Sequence, residues 1–458
     1  MPAPFKLFNT PSKSVELLQP LEAGKVSVYT CGPTVYGDPH IGNLRTYIAE
    51  DVLVRTLKML GYQVNRAMNI TDVGHLTSDG DDGEDKLEVG AKRDGTTAWE
   101  VAKKYEAVFL QDMEAFQLLP ADQLIRATDT IPEQIQLVQQ LEAKGFTYVI
   151  DDGVYYDSSK FPAYGDFAHL DIEGLQAGQR VELGDKRSVT DFALWKFSPK
   201  DSNRDMEWES PWGKGFPGWH IECSAIIRKA LGDQIDIHCG GVDHIPVHHT
   251  NEIAQTTAVT EKPLANYWLH TEFLLVDGGK MSKSLGNLFT HADLEAKGIE
   301  PAAFKLFCYS ASYRSKLNFS WEALEAAQQQ LVKLRRAIQS DERPGRSTDI
   351  SGYVEAFNQA MAQDLGTSGA LAVLYSVLSA DITPEARRDF ATHVDTVLAL
   401  NLLKQEAGKA ITNEAADMVT ARDAARAEKD WATSDALRSQ LESLGYQVQD
   451  TLDGTHIF

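Results

Sequence analysis

The residue types able to do chemistry fall in distant parts of the chain. Cys31 sits in "YTCGPTVYGDPHIGN" (29–43), a loop rich in glycine and proline just after an apolar run. Cys223 lies in "HIECSAIIRKALG", and "HIPVHHTNEIAQ" offers His248 and Glu252 four residues apart, the spacing that puts two side chains on one helical face. Together Cys31, Cys223, His248 and Glu252 would make a site of two sulfurs, one nitrogen and one oxygen. Thiolate and imidazole in tetrahedral geometry favour Zn²⁺ over Mg²⁺ or Ca²⁺. Spacing alone leaves other readings open. A lone buried cysteine serves as a small core residue, a His/Glu pair serves as a solvated contact, and His238, His244, His249 and Cys239 compete for the same role. Cys239 continues the alternation Ile235, Ile237, Cys239, which points it into a core. The acidic "SDGDDGED" (78–85) puts glycine where a calcium loop needs its third carboxylate, so it reads as a solvated loop.

A second constellation suits phosphate. Pro39-His40-Ile41-Gly42-Asn43 falls where strand gives way to helix, and the unpaired amides and positive dipole end of a first helical turn attract an anion. Gly42 permits close approach because no Cβ intervenes. His40 could donate to a phosphate oxygen whose charge grows in a transition state. Far downstream, Lys280-Met281-Ser282-Lys283-Ser284 follows an apolar strand and a Gly-Gly turn. Two lysines there can close over a triphosphate and neutralise departing pyrophosphate.

These residues need elements to hold them. Residues 24–32 read as a buried strand. Residues 44–61 read as a helix in which Leu44, Ile48 and Val52 recur every four positions beside Leu53, Leu57 and Leu60. Residues 62–71 return as a strand. Strand, helix, strand is a βαβ unit, hence a parallel sheet whose ligands bind at the carboxyl ends of its strands. Helical patterns follow from about 97 to 145, then a β-rich insertion closing with "WESPWGKGFPGWH" (208–220). The 29–43 and 280–284 loops are expected on successive strand ends of one sheet. From about 320 the pattern is helical, broken by linker-like residues 340–351, and the last stretch reads as two helices and a short hairpin.

Composition bounds the rest. A chain of 458 residues exceeds one core. Four cysteines cannot make a disulfide framework and predict a reducing cytoplasm. No apolar run approaches a membrane span, and the start lacks the pattern of a secretion signal. The net charge of −22 opposes indiscriminate nucleic-acid binding while leaving room for a local basic face.

"HIGN" followed far downstream by "KMSKS" resembles the signature pair of class I aminoacyl-tRNA synthetases. "CGPTVYGDPHIGN", "DFALWK", "GFPGWHIECSA" and "HHTNEIAQ" narrow the resemblance to the cysteinyl-tRNA synthetase family, over nearly the whole chain. The resemblance implies one zinc ion held by Cys31, Cys223, His248 and Glu252, and Mg²⁺ accompanying ATP. It implies ATP contacts from His40, Gly42, Asn43, Lys280 and Lys283, and a cysteine side-chain pocket that includes Thr34 and Trp219. Zinc would select the substrate thiol over serine's hydroxyl, which a hydrophobic pocket separates only weakly. The family motif usually ends in His where this chain has Asn43, an amide that donates hydrogen bonds but carries no positive charge. Thr250 and the long segment after "NITD" are further departures.

The implied fold is α/β: a Rossmann-like parallel-sheet catalytic domain (1–125 and 216–287) carrying a β-rich insertion (126–215). A stem-contact region (288–335), an all-α helical bundle (336–408) and a small α+β anticodon-binding domain (409–458) follow. In that last domain Trp431 would stack on an unpaired base, with Arg426, Asp435 and Asp450 near base edges, although it holds four Lys/Arg against nine Asp/Glu over 411–458. The implied partners are tRNA-Cys, ATP and L-cysteine, with no membrane, and the chain is expected to act as a monomer. Two alternatives remain: a ligase passing adenylated cysteine to an amino sugar, and a catalytically dead RNA-binding relative.

Overall fold

The computed structural model describes residues 2–74, 84–170, 185–199, 204–276, 278–281, 286–342, 345–405, 412–446, 448–451 and 454–457. The chain forms two compact units, residues 1–403 and 404–458.

The first unit opens with an antiparallel hairpin of β1 (Lys6–Asn9) and β2 (Ser14–Leu17). β3 (Lys25–Thr30) leads through the 31–40 loop into α1 (Ile41–Met59), and the chain returns as β4 (Gln63–Ile70) beside β3 in parallel. This is the expected βαβ unit: Val26 and Val28 are buried, as are Leu44, Ile48, Val52, Leu53 and Leu57 along α1. Next come α2 (Lys86–Asp94) and α3 (Ala98–Ala115). β5 (Gln123–Arg126) then interrupts the stretch expected to be helical, extending the sheet beyond β4. It is an edge strand whose residues are at best half-buried, so it lacks the apolar run that announces a strand.

α4 (Ile131–Ala143) leads into an antiparallel sheet of β6 (Thr147–Ile150), β7 (Gly153–Tyr156), β8 (Phe192–Phe197) and β9 (Gly215–Pro217). Its core is aromatic, with Trp195 fully buried and the Tyr156 and Phe192 rings stacked at 4.9 Å. From β9 the chain passes into α5 (Trp219–Ala230), β10 (Ile235–Gly241), a π-helical turn (Ile245–His249), α6 (Thr250–Thr260) and β11 (Ala265–Thr271). The parallel sheet thus runs β11-β10-β3-β4-β5.

β12 (Leu274–Val276) and β13 (Gly279–Lys280) follow, and after α7 (His291–Ala296) and α8 (Pro301–Tyr309) comes β14 (Leu317–Phe319). These strands make a separate three-stranded sheet, β13-β12-β14. The expectation that the two phosphate loops sit on strand ends of one sheet is therefore incorrect. A buried arginine brings them together instead. Arg45, on α1, donates from Nη1 to the Glu272 and Phe273 carbonyls at 2.8 Å each, and from Nη2 to those of Ser312 and Ser315 at 3.2 and 2.5 Å. The strand leading to Lys280 is thereby pinned to the helix that starts at Ile41.

The helices α9 (Trp321–Gln339), α10 (Ser351–Ala362), α11 (Thr367–Val377) and α12 (Pro384–Leu398) share a continuous hydrophobic core with α1. No helix among the described residues is long and apolar enough to cross a membrane.

The second unit holds α13 (Asn413–Ala427), α14 (Trp431–Ser443) and the hairpin β15 (Val448–Thr451) and β16 (Gly454–Ile457), the two helices and hairpin expected. Its small core is Ala415, Leu441, Tyr446, Val448 and Ile457. Arg422 crosses this core, reaching Asp450 and Thr455 at 2.5 Å each.

Beside the parallel sheet, Glu50 and Arg66 face each other at 3.5 Å, both buried. Burial pushes the Glu50 carboxyl up to about 8, against the pull of Arg66. A carboxyl raised on folding contributes stability that is complete below about pH 4.5 and lost as pH rises through 8. Glu50→Gln mimics the neutral acid at every pH. Its unfolding free energy should match the parent's near pH 5 and exceed it near pH 9, by a margin on the order of a few kcal/mol. Parallel pH profiles for the two proteins would refute this.

Candidate active site

A cleft of about 790 Å³ opens at the carboxyl ends of β3 and β10, where a parallel sheet presents its ligand site. Cys31 leaves β3 with its amide donating to the Cys239 carbonyl at 3.2 Å. The next residue must be glycine: its amide donates to Asn69 Oδ1 at 2.8 Å, and a Cβ there would run into the Asn69 backbone carbonyl. Asn69 Nδ2 in turn donates to Thr71 Oγ1 at 2.9 Å, and that hydroxyl donates to Glu222 Oε2 at 3.1 Å. This buried chain ties β4 to α5, the helix bearing Cys223.

Cys31, Cys223, His248 and Glu252 converge, each offering a ligand atom within 4.8 Å of the others, and all are buried. The expected i, i+4 helical pairing of His248 and Glu252 needs one correction. His248 lies in the π turn and Glu252 in α6, yet His248 Nε2 still approaches Glu252 Oε1 to 2.7 Å. That oxygen has no aligned hydrogen-bond donor although it is fully buried. Two ligand atoms facing a common centre have this geometry. Their other atoms are held from behind: His248 Nδ1 meets His220 Nδ1 at 3.1 Å, and Glu252 Oε2 meets His238 Nε2 at 2.6 Å. Such outer partners orient metal ligands. Burial would raise the Glu252 carboxyl, but His238 and His248 hold it well below the usual range. The Cys223 sulfur and burial push the Cys31 thiol up, whereas Cys31, donating to it, pulls Cys223 down. The donor set therefore fits a soft divalent cation.

Among the competitors, His238 and His249 make a second trio with Cys31, and His249 Nε2 lies 3.5 Å from its sulfur. His249 continues through His270 Nε2 at 2.8 Å. Cys239 is core, as its alternation predicts.

On the other side of the cleft His40 caps α1. Its Nδ1 accepts from the Asn43 amide at 3.2 Å, while its own amide donates to Asn43 Oδ1 at 3.1 Å. With Nδ1 accepting, the neutral imidazole carries its proton on Nε2. Asn43 is thus the reciprocal half of a capping box. Strand-like pairing of His40 with Thr290 closes this corner. A Cβ on Gly42 would fall 2.5 Å from Met281 Cε and 2.9 Å from His40 Nδ1, so Gly42 is where the two signature segments meet.

Thr34 lines the cleft and bridges to Thr71 along the backbone. Trp219, half-buried, sets its ring centroid 4.9 Å from that of His248. Lys280 ends β13, and Lys283 lies outside the described residues. So does most of the acidic 78–85 segment, but Asp85 is no solvated loop residue. It is buried, caps α2 through the Leu87 amide at 2.7 Å, and pairs with Arg204.

In the second unit Trp431 is 57% exposed and Asp435 is exposed. Asp450 accepts from Arg422 and pairs with Arg426 at 2.9 Å. Asp450 and Arg426 are therefore engaged with each other.

Sequence reasoning passed over Asn69, Thr71, Glu222 and His220. "NITD" held the signal for the first two, because two short polar side chains on a buried strand require partners.

A family model described as the class I (C) tRNA synthetase catalytic domain matches residues 17–329, and one for the cysteinyl-tRNA ligase anticodon binding domain matches residues 409–457. Cysteine–tRNA ligase 1 of Burkholderia lata is 48% identical, covering 99% of this chain and 97% of its own length. Cysteine–tRNA ligase of Thermosynechococcus vestitus is 41% identical, covering 99% and 98%. Among solved structures, a leucyl-tRNA synthetase from Agrobacterium radiobacter superposes with a TM-score of 0.60 at 11% identity, covering 85% of this chain and 87% of that one. A methionyl-tRNA synthetase from Mycobacterium tuberculosis superposes with 0.55 at 15%, covering 82% and 88%. At these identities the two structures speak for the fold alone.

Proposed function

This chain belongs to the cysteine–tRNA ligase family, and on that premise we propose how its residues divide the work of the reaction. The enzyme joins L-cysteine to tRNA in two steps. A cysteine carboxylate oxygen attacks the α-phosphorus of ATP, the bond to pyrophosphate breaks, and cysteinyl-adenylate forms. A terminal ribose hydroxyl of the tRNA then attacks the activated carbonyl, and AMP departs.

The observation that carries the assignment of roles is that Cys31, one of four converging buried ligand side chains, lines the same cleft as His40, the cap of α1. Cys31, Cys223, His248 and Glu252 would hold a zinc ion. When bound, zinc supplies a soft Lewis acid that takes a sulfur ligand in preference to a hydroxyl. Thr34 and Trp219 wall the amino-acid side of the pocket, and His238 and His220 keep the ligands oriented. His40 directs its Nε2–H to the α-phosphate beside the first amides of α1, with Gly42 admitting the nucleotide and Asn43 holding His40 in place. Lys280 and Lys283 would neutralise the leaving pyrophosphate, and Mg²⁺, brought with ATP as substrate, would share that charge. The buried free cysteines suit a reducing cytoplasm.

The anticodon-binding match over 409–457 gives tRNA as acceptor a module of its own, and the amino-sugar alternative finds no support among the relatives. In that module Trp431 offers an exposed face for stacking, with Arg426 and Asp435 near base edges, while Asp450 acts as the clasp that holds Arg422 and Arg426. Trp431→Ala should leave the thermal midpoint unchanged and lower kcat/KM for tRNA by about tenfold, a stacking loss on the order of 1–3 kcal/mol.

The test of the whole reading is cysteine-dependent ATP–pyrophosphate exchange, charging of tRNA-Cys, and zinc at one equivalent per chain. A zinc-replete protein that exchanges with no amino acid would favour the dead-fold alternative.

A further inference from the structure

The chain that follows the second phosphate loop runs back along the start of α1. Its main-chain hold there is slight: the Ile41 amide donates to the Phe289 carbonyl at 2.8 Å, and Thr290 makes an isolated antiparallel bridge with His40. Leu288 and Thr290 line the cleft along with His40. The next element, α7, is six residues long, too short to be stable by itself. Side chains must fix the rest of this segment.

His291, the first residue of α7, supplies such a hold. Its Nδ1 lies 2.8 Å from Asp112 Oδ1 on α3, and the two side chains are only 12% and 7% exposed. The imidazole sits edge-on to the Phe116 ring at 5.1 Å between centroids, and Phe116 packs edge-on against Phe304 of α8. Lys305 of α8 donates to the Phe116 carbonyl at 3.1 Å, so the surface that receives the imidazole is itself tied down. Two other titratable groups face the pair. Glu295 of α7 lies 3.9 Å from Nε2, and Tyr47 of α1 stands near Asp112, its phenol pushed up first by burial and then by nearby charges.

This placement runs against local preference. A cation at the first position of a helix opposes the macrodipole, which favours acids there. Asp293 already closes the capping box with Thr290, at 2.7 and 2.9 Å, so the start of α7 has the acid it requires without His291. The bond to Asp112 nevertheless raises the imidazole above its usual range in spite of burial. A residue that breaks a local rule and finds its partner 179 positions away answers to tertiary structure rather than to its own helix.

We infer that His291 and Asp112 are positioning residues for the adenylation step: the pair clamps the 288–291 segment onto α3, and that segment fixes the His40 backbone and the first turn of α1 where the α-phosphate binds. Neither side chain touches a reacting atom. The inference rests on the role proposed above for His40 and adds the groups that hold it from behind.

His291→Leu keeps much of the ring's bulk and removes the bond, whereas His291→Asn returns a donor to the place of Nδ1. Leu334→Ala, a truncation in the buried core of α9, reads what lost stability alone does to turnover. Pyrophosphate exchange and single-turnover transfer from preformed cysteinyl-adenylate are measured well below each thermal midpoint. In His291→Leu the kcat for exchange should fall about tenfold, with the KM for cysteine unchanged and transfer within about twofold of the parent, because a small misplacement of one group suffices for such a loss. His291→Asn should recover most of it. Asp112→Leu should match His291→Leu, and the double variant should be no slower than either, since the two act as one unit. Leu334→Ala should lower the midpoint and leave kcat alone. Equal losses of exchange and transfer in His291→Leu, or a lowered midpoint with the parent's kcat, would reduce the pair to a packing contact and overturn the inference. His40→Asn separates that failure from failure of the reading beneath it. A slow His40→Asn beside a normal His291→Leu overturns the positioning alone. A normal His40→Asn beside a slow His291→Leu overturns the role of His40 and leaves the pair positioning the α1 amides.

Discussion

Replacing Cys223 with serine should strip zinc from the protein and lower kcat/KM for cysteine activation by roughly a hundredfold or more, since loss of even an outer partner of a metal site costs about 10–100-fold. Cys223 is 1% exposed, and its sulfur already sits against Cys31 with its pKa pulled down by that neighbour. A serine hydroxyl is a hard donor that stays protonated, so two sulfurs become one and the set no longer favours zinc. Discrimination should suffer with affinity. A pocket relying on shape alone separates cysteine from serine only weakly, so the preference in exchange should contract toward that of an ordinary cavity. Cys239→Ser is the control. It makes the same chemical change in a side chain that packs in the sheet core, and should lower the thermal midpoint while leaving zinc at one per chain. Metal content measured alongside cysteine- and serine-dependent exchange decides the matter, and a Cys223→Ser protein that keeps full zinc would remove this residue from the ligand set.

The residues behind that prediction show which parts of the molecule are legible in the sequence. The βαβ unit is readable because one apolar face dictates both the four-residue period of Leu44, Ile48 and Val52 and their burial. β5 is not, because an edge strand leaves its residues at best half-buried and needs no apolar run. The ligand set was nameable through resemblance, but the histidines that orient it were not. His238 faces Glu252 from a neighbouring strand, and only folding makes them adjacent. The same holds for Arg45, whose carbonyl acceptors lie more than two hundred residues away and hold together two segments belonging to different sheets. Asp85 looked like one more acid in a solvated run, whereas burial and Arg204 make it the anchor of α2. Local period predicts elements. Long-range polar partnerships, which place the chemistry, are set by topology.

His40 offers the sharpest separation of a structural role from a chemical one. As the N-cap of α1 it accepts the Asn43 amide through Nδ1, and asparagine is among the best residues for that task. His40→Asn should therefore preserve the helix start and the thermal midpoint while removing the imidazole Nε2–H. Loss of one donor aimed at a developing oxyanion costs about 10²–10³ in kcat, so exchange should slow by that factor with the KM for cysteine nearly unchanged. His40→Ala removes cap and donor together and should add a stability loss of about 1 kcal/mol to the same kinetic defect. The split between the two variants is the informative quantity. If His40→Asn exchanges within a few-fold of the parent while His40→Ala is crippled, the imidazole is only a cap, and the α-phosphate must rely on the α1 amides.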